Sequence, residues 1–412
     1  MRAACILLCP TPMLAPRPVL CFHLPPMATE TVVAPVYSKK NPFPARLQTN
    51  RKLTLGGSEK ETRHFELNLE GSGLCYECGD SIGVFPKNDP ALVQEIIHAL
   101  HATGDEIVPG CDCAPKTLRA ALIEDYQITQ PSKQFVQAIS ERGGEAASLL
   151  RELHDPLRKQ DLEEYLWGLE YVDFLESHPS IHFTPEEFVK TLRKLLPRLY
   201  SIASSQRAYP AEVHLTIAIV RYESHGRGRK GVASTFLAER VGESDRVPVF
   251  VHVAKGFRLP EDGNTPIIMV GPGTGVAPFR AYLQDRKATG AKGKNWLFFG
   301  EQRCKCDFLY QTEFAALQAN GILTRFDTAF SRDQAHKVYV QNRMMENAAE
   351  IWKWIDGEGA HFFVCGDASR MAKDVDAALL KIVETEGGKT PEEAAIYIEE
   401  MKKTKRYKRD VY

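Results

Sequence analysis

The sequence lacks an excess of either charge, because its 412 residues carry 52 Lys and Arg against 53 Asp and Glu. Proteins that attract nucleic acid or acidic membrane surfaces through their overall electrostatic potential carry a clear excess of positive charge. The chain also lacks the run of about 18 apolar residues that a membrane-spanning helix requires. We therefore expect neither a nucleic-acid partner nor a membrane partner.

Cysteine is sparse, with ten residues in a chain of this length. Domains stabilised by disulfides are much richer in cysteine, so the composition predicts a protein of the reducing cytoplasm. Short-spaced cysteines and nearby histidines have the side-chain types of a zinc site, but they lack matching second pairs, and we predict no metal. These residues are His98, His101, Cys111 and Cys113, the pair Cys75 and Cys78, and the pair Cys304 and Cys306.

The length predicts two or three domains. Prolines interrupt the apolar start of the chain, so we interpret residues 1–40 as a disordered or non-native leader. Short alternating runs from Arg46 to Pro86 and again from Arg198 predict antiparallel strands, whereas the period between Pro90 and Leu196 is helical. We therefore predict a barrel domain over residues 41–262, split by a helical insertion at about 87–196.

A different pattern follows in residues 263–412. Buried apolar strands are expected at 266–270, 296–299 and 361–365, with helical stretches between them. Alternating strands and helices form a parallel sheet covered on both faces, with ligands at the carboxyl ends of the strands. The predicted fold class is thus α+β multidomain, an antiparallel barrel followed by an α/β parallel-sheet domain.

Two glycine turns each lead from a strand into a helix. One contains Gly271, Gly273, Thr274 and Gly275, and the other runs through residues 231–234. Such turns let the backbone approach a pyrophosphate, and the helix that follows directs free amides at the anion. A tight strand-to-helix turn is the alternative for each, but two phosphate sites together indicate two dinucleotides.

A third segment, residues 331–341, groups a hydroxyl, a guanidinium, an ammonium and an aromatic ring in an expected loop-to-strand segment. Ser331, Arg332 and Lys337 suit a 2′-phosphate, and Tyr339 suits stacking on adenine. An ordinary solvated surface is the alternative. A fourth segment begins a barrel strand at Arg198, where alternation directs Arg198 and Tyr200 to one face and Ser201 to the other.

Six segments together resemble the FAD- and NADPH-binding half of the diflavin reductases, from about Asn41 to Tyr412. They are RLYSIASS, GVASTFL, GPGTGVAPFR, SRDQAHKVYVQ, FVCGDASRMAKDV and RYKRDVY. The resemblance implies a ferredoxin reductase-like fold, with FAD in residues 41–262, NADPH in residues 263–412 and hydride transfer between them.

The resemblance also implies roles for matching positions. The implied FAD contacts are Thr129, Arg198, Leu199, Tyr200, Ser201, Thr216, Ile217, Ala218, Tyr222, Gly231, Val232, Ala233, Ser234 and Tyr412. The implied NADPH contacts are Gly271, Gly273, Thr274, Gly275, Ser331, Arg332, Lys337, Val338, Tyr339, Val340, Gln341 and Asp374. The implied catalytic residues are Ser201, Cys365, Asp410 and Tyr412, where Tyr412 covers the flavin and moves aside. A buried core thiol is the alternative for Cys365.

The electron acceptor is left open. Diflavin reductases carry an FMN-binding domain before this half, and nothing like it precedes residue 41, so we expect a separate partner: a sulfite reductase haemoprotein, a flavodoxin or a ferredoxin. Three functions follow: a flavoprotein reductase serving sulfite reduction, a reductase of another carrier or haem protein, and a nucleotide-binding subunit without catalysis. The basic residues from Lys402 to Arg409 are interpreted as a solvated helix end, with a docking patch as the alternative.

Overall fold

The computed structural model describes residues 37–143, 147–153 and 155–412. Most of the leader predicted for residues 1–40 lies outside this part of the chain. Across the described residues, every helix is too short or too polar to cross a membrane.

The secondary structure alternates between strand-rich and helix-rich stretches. The strands are β1 Phe43–Lys52, β2 Thr62–Asn68, β3 Ser81–Val84, β4 Ile107–Pro109, β5 Pro115–Thr117, β6 Tyr126–Gln127, β7 Arg193–Lys194, β8 Arg198–Ser201, β9 Glu212–Ala218, β10 Arg221–Ser224, β11 Arg227–Lys230, β12 Val247–His252, β13 Ile267–Val270, β14 Asn295–Glu301, β15 Arg325–Phe330, β16 His361–Gly366 and β17 Tyr407–Val411. The helices are α1 Pro90–Ala99, α2 Leu118–Glu124, α3 Lys133–Arg142, α4 Ser148–Leu153, α5 Lys159–Leu166, α6 Tyr171–Ser177, α7 Pro185–Thr191, α8 Val232–Thr235, α9 Ala277–Thr289, α10 Cys304–Asp307, α11 Gln311–Ala319, α12 Val340–Glu346, α13 Ala348–Trp352, α14 Met371–Glu386 and α15 Pro391–Lys403.

Six antiparallel strands form the barrel, in the order β8-β3-β12-β1-β2-β9. A bridge between Ile202 and Leu215 joins the two ends of this sheet and closes it. The antiparallel barrel predicted from the alternating runs is therefore confirmed. Strand β9 differs from a strand with one solvent-exposed face, because His214 and Thr216 are buried along with the apolar residues that alternate with them.

Seven helices, α1 to α7, lie between β3 and β8, which are neighbours in the barrel. They enclose a core of their own around Phe135 and Tyr171, so this block is a packed unit. Thr184 and Glu187 form a capping box at the start of α7. Leu162 and Val172 belong to different helices, α5 and α6, because the chain turns between them at Gly168, which has a φ of 78°.

The second domain has a five-stranded parallel sheet in the order β15-β14-β13-β16-β17. Its three central strands match the predicted buried runs. The edge strands β15 and β17 were not predicted, because each carries charged residues and neither reads as an apolar run.

Two local expectations need correction. Residues 331–341 do not lead into a strand: β15 ends at Phe330, and the segment is a loop that enters helix α12. The basic run near the C-terminus is not one helix end, because α15 stops at Lys403 and Lys408 and Arg409 belong to β17. Both segments adjoin or contain an edge strand of the parallel sheet, β15 or β17. The charged residues of these two strands differ from the apolar runs by which buried parallel strands are recognised.

The barrel and the parallel sheet meet at the buried side chain of Arg280, in the first helix of the second domain. Arg280 donates to the carbonyl of Ala203 at 2.7 Å, to Nδ1 of His214 at 3.2 Å and to Glu313 at 2.8 Å. It also lies over the ring of Tyr310, whose hydroxyl is 2.7 Å from the Thr216 hydroxyl in the barrel. This network fixes β9 and the residues after β8 against the second domain.

The helical block is attached to the β10-β11 hairpin by a buried ion pair. Only 2% of the Arg229 side chain is exposed, and it donates to Glu170 at 3.2 Å and to Asp173 at 2.6 Å. Removing one partner of such a pair leaves uncompensated buried charge. Arg227, two residues earlier on the same strand, is 32% exposed and pairs with the half-exposed Glu95 and Glu176, and also with Asp173 at 3.4 Å.

We expect Arg229→Met to lower the free energy of unfolding by about 3–5 kcal/mol, because the buried Glu170 then loses its cation and Asp173 keeps only the more exposed Arg227. Arg227→Met is the matched control and should cost less than about 1 kcal/mol, as exposed ion pairs do. Urea unfolding followed by circular dichroism measures both. Equal losses in the two variants would show that burial of the pair is unimportant.

Candidate active site

One carboxylate oxygen joins three of the predicted catalytic residues. Oδ2 of Asp410 accepts a hydrogen bond from the Ser201 hydroxyl at 2.9 Å and lies 4.0 Å from the Cys365 sulfur. Ser201 belongs to the barrel, whereas Cys365 and Asp410 belong to the parallel sheet. The site therefore exists only when the two domains are in contact.

The sheet register explains this meeting. Strands β16 and β17 pair in parallel with Cys365 opposite Asp410, near the carboxyl ends of both strands. Ser201 is the last residue of β8, at the barrel edge that faces this end of the sheet. The grouping matches the general rule that ligands of parallel α/β sheets bind beyond the carboxyl ends of the strands.

The Cys365 thiol is fully buried. Burial and the nearby Asp410 carboxylate raise the pKa of Cys365 well above its ordinary value, since both disfavour the thiolate. The sulfur is therefore a neutral thiol at physiological pH. Its surroundings favour a small polar group that positions its neighbours and disfavour a nucleophile.

Tyr412 lies two residues beyond Asp410. Its backbone amide donates to the carbonyl of Gly366 at 3.1 Å, and its hydroxyl is 3.1 Å from the Thr274 hydroxyl. The side chain is nevertheless 65% exposed. The backbone of Tyr412 is thus anchored, while its ring has one hydrogen-bonding contact, with Thr274.

The barrel side of the site presents exposed apolar and cationic groups. Leu199 is 48% exposed and Tyr222 is 46% exposed, which is high for side chains of this kind. Arg198 is exposed and forms no ion pair within the described residues. A flat apolar ring system that carries phosphates fits such a surface, because it would cover the apolar groups and neutralise the guanidinium.

The expected turn from a strand into a helix is present at Gly231, where α8 begins at Val232. Val232 lines a cavity of about 290 Å³, and Thr129, from the helical block, lines the same cavity. Thr129, distant in sequence, is therefore brought beside the turn. Ser234 has a structural task as well, since its hydroxyl accepts from the Val220 amide at 3.1 Å.

Thr216, Ile217 and Ala218 lie on β9, which is an edge strand of its sheet. Past the bridge at Leu215, this edge has no further strand partner in the described residues. Its backbone is thus placed to line a cofactor. The Thr216 side chain itself turns away and contacts Tyr310.

The glycine loop before α9 has close packing as well as space for a ligand. Gly273 has a φ of 58°, a conformation that favours glycine. A Cβ on Gly275 would lie 2.2 Å from the carbonyl oxygen of Cys365. Glycine at position 275 is therefore required by the approach of β16, a reason that the sequence did not reveal.

A second cavity, of about 490 Å³, opens beside this loop. It gathers most of the residues predicted for the nucleotide: Gly273, Ser331, Arg332, Lys337, Tyr339, Val340, Gln341 and Asp374. Gln341 donates to Asp374 at 3.1 Å, which joins α12 to α14. Val338 is buried beneath the cavity and does not line it.

Sequence reasoning missed several residues that line this cavity, among them Lys60, Glu301 and Arg370. Arg370 immediately precedes α14 and forms no ion pair within the described residues. Lys60 comes from the barrel and pairs with Glu301 at 2.9 Å. No local signal marks Lys60, because its position depends on how the two domains meet.

The cysteines and histidines considered as metal ligands do not come together. Among the described residues, the one group with metal-ligand geometry is His64, Glu66 and His214. Arg280 donates to Nδ1 of His214, so the proton of the neutral ring lies on Nε2. Burial, together with the charge of Arg280, also lowers the pKa of His64 to about 4. The two histidines are therefore neutral rings at the junction between the domains.

A barrel with an exposed apolar and cationic surface, joined to a parallel sheet with a nucleotide-sized cavity, defines a two-domain flavoprotein oxidoreductase of the ferredoxin-reductase type. Family models agree: residues 35–236 match the FAD binding domain, and residues 269–377 match the oxidoreductase NAD-binding domain. The chain therefore combines an FAD-binding domain with an oxidoreductase NAD-binding domain.

Among curated proteins, the chain is similar to the sulfite reductase [NADPH] flavoprotein alpha-components. Identity is 49% over 379 residues with that of Bacillus subtilis and 47% over 376 residues with that of Aliivibrio fischeri. Each alignment covers 91% of this chain, but only 62% and 61% of the relative. With the protein of Zymomonas mobilis, identity is 46% and coverage is 93% of this chain and 63% of the relative. The chain thus spans about 62% of the length of these relatives.

The Cys365 environment makes a direct prediction. Since the thiol is buried and its pKa is raised, iodoacetamide at pH 8 should leave Cys365 unmodified in the native protein, whereas exposed Cys75 and Cys113 react. Peptide mass spectrometry after a timed quench measures all three. Unfolding in urea should make Cys365 react like the others. Rapid native alkylation of Cys365 would contradict the neutral buried thiol.

Proposed function

We propose that the protein is an NADPH-dependent flavoprotein reductase that accepts a hydride on FAD and passes electrons to a redox partner. The observation that carries the proposal is the meeting of Ser201, Cys365 and Asp410 around one oxygen at the junction of the FAD-binding and NAD-binding domains. A site that requires both domains fits a reaction that requires both nucleotides.

The FAD site proposed here uses the barrel surface. Arg198 and the turn from Gly231 to Ser234 would hold the pyrophosphate, and Tyr200 and Tyr222 would contact the ring system. The remaining contacts assigned to it are Thr129, Leu199, Ser201, Thr216, Ile217, Ala218 and Tyr412. The unpaired Arg198 and the exposed Leu199 and Tyr222 support this assignment, because each would gain a partner.

The NADPH site proposed here is the cavity beside the glycine loop. Ser331, Arg332 and Lys337 would bind the 2′-phosphate, Tyr339 would stack on adenine, and Gly271 to Gly275 would support the pyrophosphate. Asp374 would orient Gln341. Lys337 has no ion-pair partner in the described part of the chain, which favours an anionic ligand there.

In the proposed mechanism, bound FAD supplies the two-electron chemistry and the protein supplies position and charge. Asp410 accepts a hydrogen bond from the Ser201 hydroxyl and fixes it at the domain junction, while the negative charge of Asp410 would favour positive charge that develops on a neighbouring nicotinamide. Cys365 occupies the space beside the Asp410 carboxylate as a neutral thiol. Tyr412 shields the site from water and turns aside about its anchored backbone when the nucleotide enters.

The proposed acceptor is a sulfite reductase haemoprotein, because the curated relatives are named as sulfite reductase flavoprotein components. A separate flavodoxin or ferredoxin is the second possibility. Seven cysteines in the described residues are free, which supports a reducing compartment such as the cytoplasm. Rates of electron delivery to purified haemoprotein, flavodoxin and ferredoxin would identify the acceptor, and no delivery to any of them would favour the nucleotide-binding subunit.

We expect Ser201→Ala to slow hydride transfer from NADPH to FAD by about tenfold or more, because Asp410 loses the donor that fixes it. Stopped-flow absorbance of the flavin measures this rate. FAD content should stay unchanged, and Ser244→Ala, on an exposed loop, is the control. An unchanged rate in Ser201→Ala would remove Ser201 from the mechanism.

Replacing Arg332 and Lys337 together with Ala should raise the KM for NADPH by about 10- to 100-fold, since two charge-assisted contacts to the 2′-phosphate are lost. The KM for NADH should change little. Steady-state reduction of ferricyanide measures both, and the double variant Lys287→Ala with Lys292→Ala controls for net charge. Equal losses with the two nucleotides would refute the assigned phosphate site.

A further inference from the structure

A loop of the barrel reaches across to the NAD-binding domain. Residues 55–61 connect β1 to β2, and the Leu55 amide donates to the carbonyl of Cys306 at 2.8 Å. The Ser58 hydroxyl donates to Asp307, and Lys60 pairs with Glu301 at 2.9 Å. The loop therefore lies along the rim of the cavity that we assign to the NADPH phosphate.

Glu59, at the centre of this loop, binds the cation assigned to that phosphate. Its carboxylate accepts hydrogen bonds from Arg332 and, at 3.2 Å, from Arg303. The hydrogen bond from Arg332 is the main cause that lowers the pKa of Glu59, so the group is ionised at neutral pH. A carboxylate thus occupies a donor of Arg332.

The other cations of the cavity differ in this respect. Lys337 and Arg370 line the same cavity and form no ion pair within the described residues. Of the three cations that the NAD-binding domain contributes to this cavity, Arg332 is therefore the one that an acid already engages within the described residues. A carboxylate and a phosphate compete for guanidinium donors, and two anions at one guanidinium repel each other.

We propose that Glu59 is an internal competitor of the nucleotide 2′-phosphate. It binds Arg332 when the cavity is empty and gives up the guanidinium when the phosphate enters. The competition weakens the binding of 2′-phosphorylated nucleotides and so sets how strongly the protein distinguishes them from nucleotides without this phosphate. This inference rests on the proposed NADPH site.

The exchange also reaches the domain junction, because Glu59 belongs to the barrel and Arg332 to the NAD-binding domain. Glu59 keeps Arg303 as a partner after Arg332 leaves, and the Leu55 and Lys60 contacts are separate from the exchange. The loop therefore stays in place while one ion pair changes partner. A local competition, and not an opening of the domains, is the expected event.

The test compares Glu59→Gln with wild type as the full-length, FAD-loaded protein. The probes are 2′,5′-ADP and 5′-AMP, which differ only in the 2′-phosphate and cannot react. The affinities are measured by calorimetry at about 50 mM salt, because low salt limits the screening of surface charges. Glu61→Gln is the matched control, because Glu61 lies on the same loop and pairs with Arg63 and Arg221, away from the cavity.

Glu59→Gln should bind 2′,5′-ADP about two- to fivefold more tightly, the scale of an exposed ion pair, and should bind 5′-AMP as wild type does. Glu61→Gln should match wild type with both probes. In an Arg332→Ala background, Glu59→Gln should no longer change the affinity, because the contested donor is gone. This last comparison separates competition for Arg332 from a general effect of charge.

The opposite results are distinguishable. If wild type prefers 2′,5′-ADP and Glu59→Gln binds it equally or more weakly, the competition is refuted while the NADPH site stands. A gain that persists without Arg332 also refutes it. If wild type and Glu59→Gln both bind the two probes equally, the proposed NADPH preference fails and this inference fails with it.

Discussion

The structure depends on the burial of one cation, Arg280, at the contact between barrel and parallel sheet. Its guanidinium donates to the barrel backbone at Ala203, two residues after Ser201, and to Glu313 in the second domain. An unpaired buried charge is very costly, so the contact is stable only in an arrangement that supplies all these acceptors. The same arrangement brings Ser201 within hydrogen-bond distance of Asp410.

The candidate site accordingly consists of groups from both domains, and neither domain forms the site by itself. The glycine loop, the end of β16 and the strand β17 meet because Gly275 has no side chain where the Cys365 carbonyl approaches. The barrel adds a hydroxyl and an exposed apolar surface. The nucleotide cavity, in turn, is lined by the second domain together with one barrel residue, Lys60. The lining of this cavity and the contact between Ser201 and Asp410 therefore both depend on how the two domains are docked.

Much of this could be predicted from sequence where physical patterns are local. The alternation of polar and apolar residues predicted the barrel strands, and apolar runs predicted the central parallel strands. The capping box at Thr184 is likewise a local signal, for the start of a helix. Family resemblance pointed to Ser201, Cys365 and Asp410, which the fold brings together. Charged edge strands could not be recognised, because strand pairing, and not composition, makes them strands. Lys60, Glu59 and Arg280 were also missed, since the partner that each has in the other domain lies more than 60 residues away in the chain.

The position of the helical block has a consequence for how the chain is made. Strands β3 and β8 pair with each other, yet the residues of α1 to α7 separate them. During synthesis the first three strands therefore leave the ribosome long before β8, β9 and β12 can cover their edges. Unpaired strand edges invite association with other chains, and long-range pairing is slow. The helical block, which has a core of its own, is the part able to fold during this interval, and it would shield the nascent barrel until its remaining strands arrive.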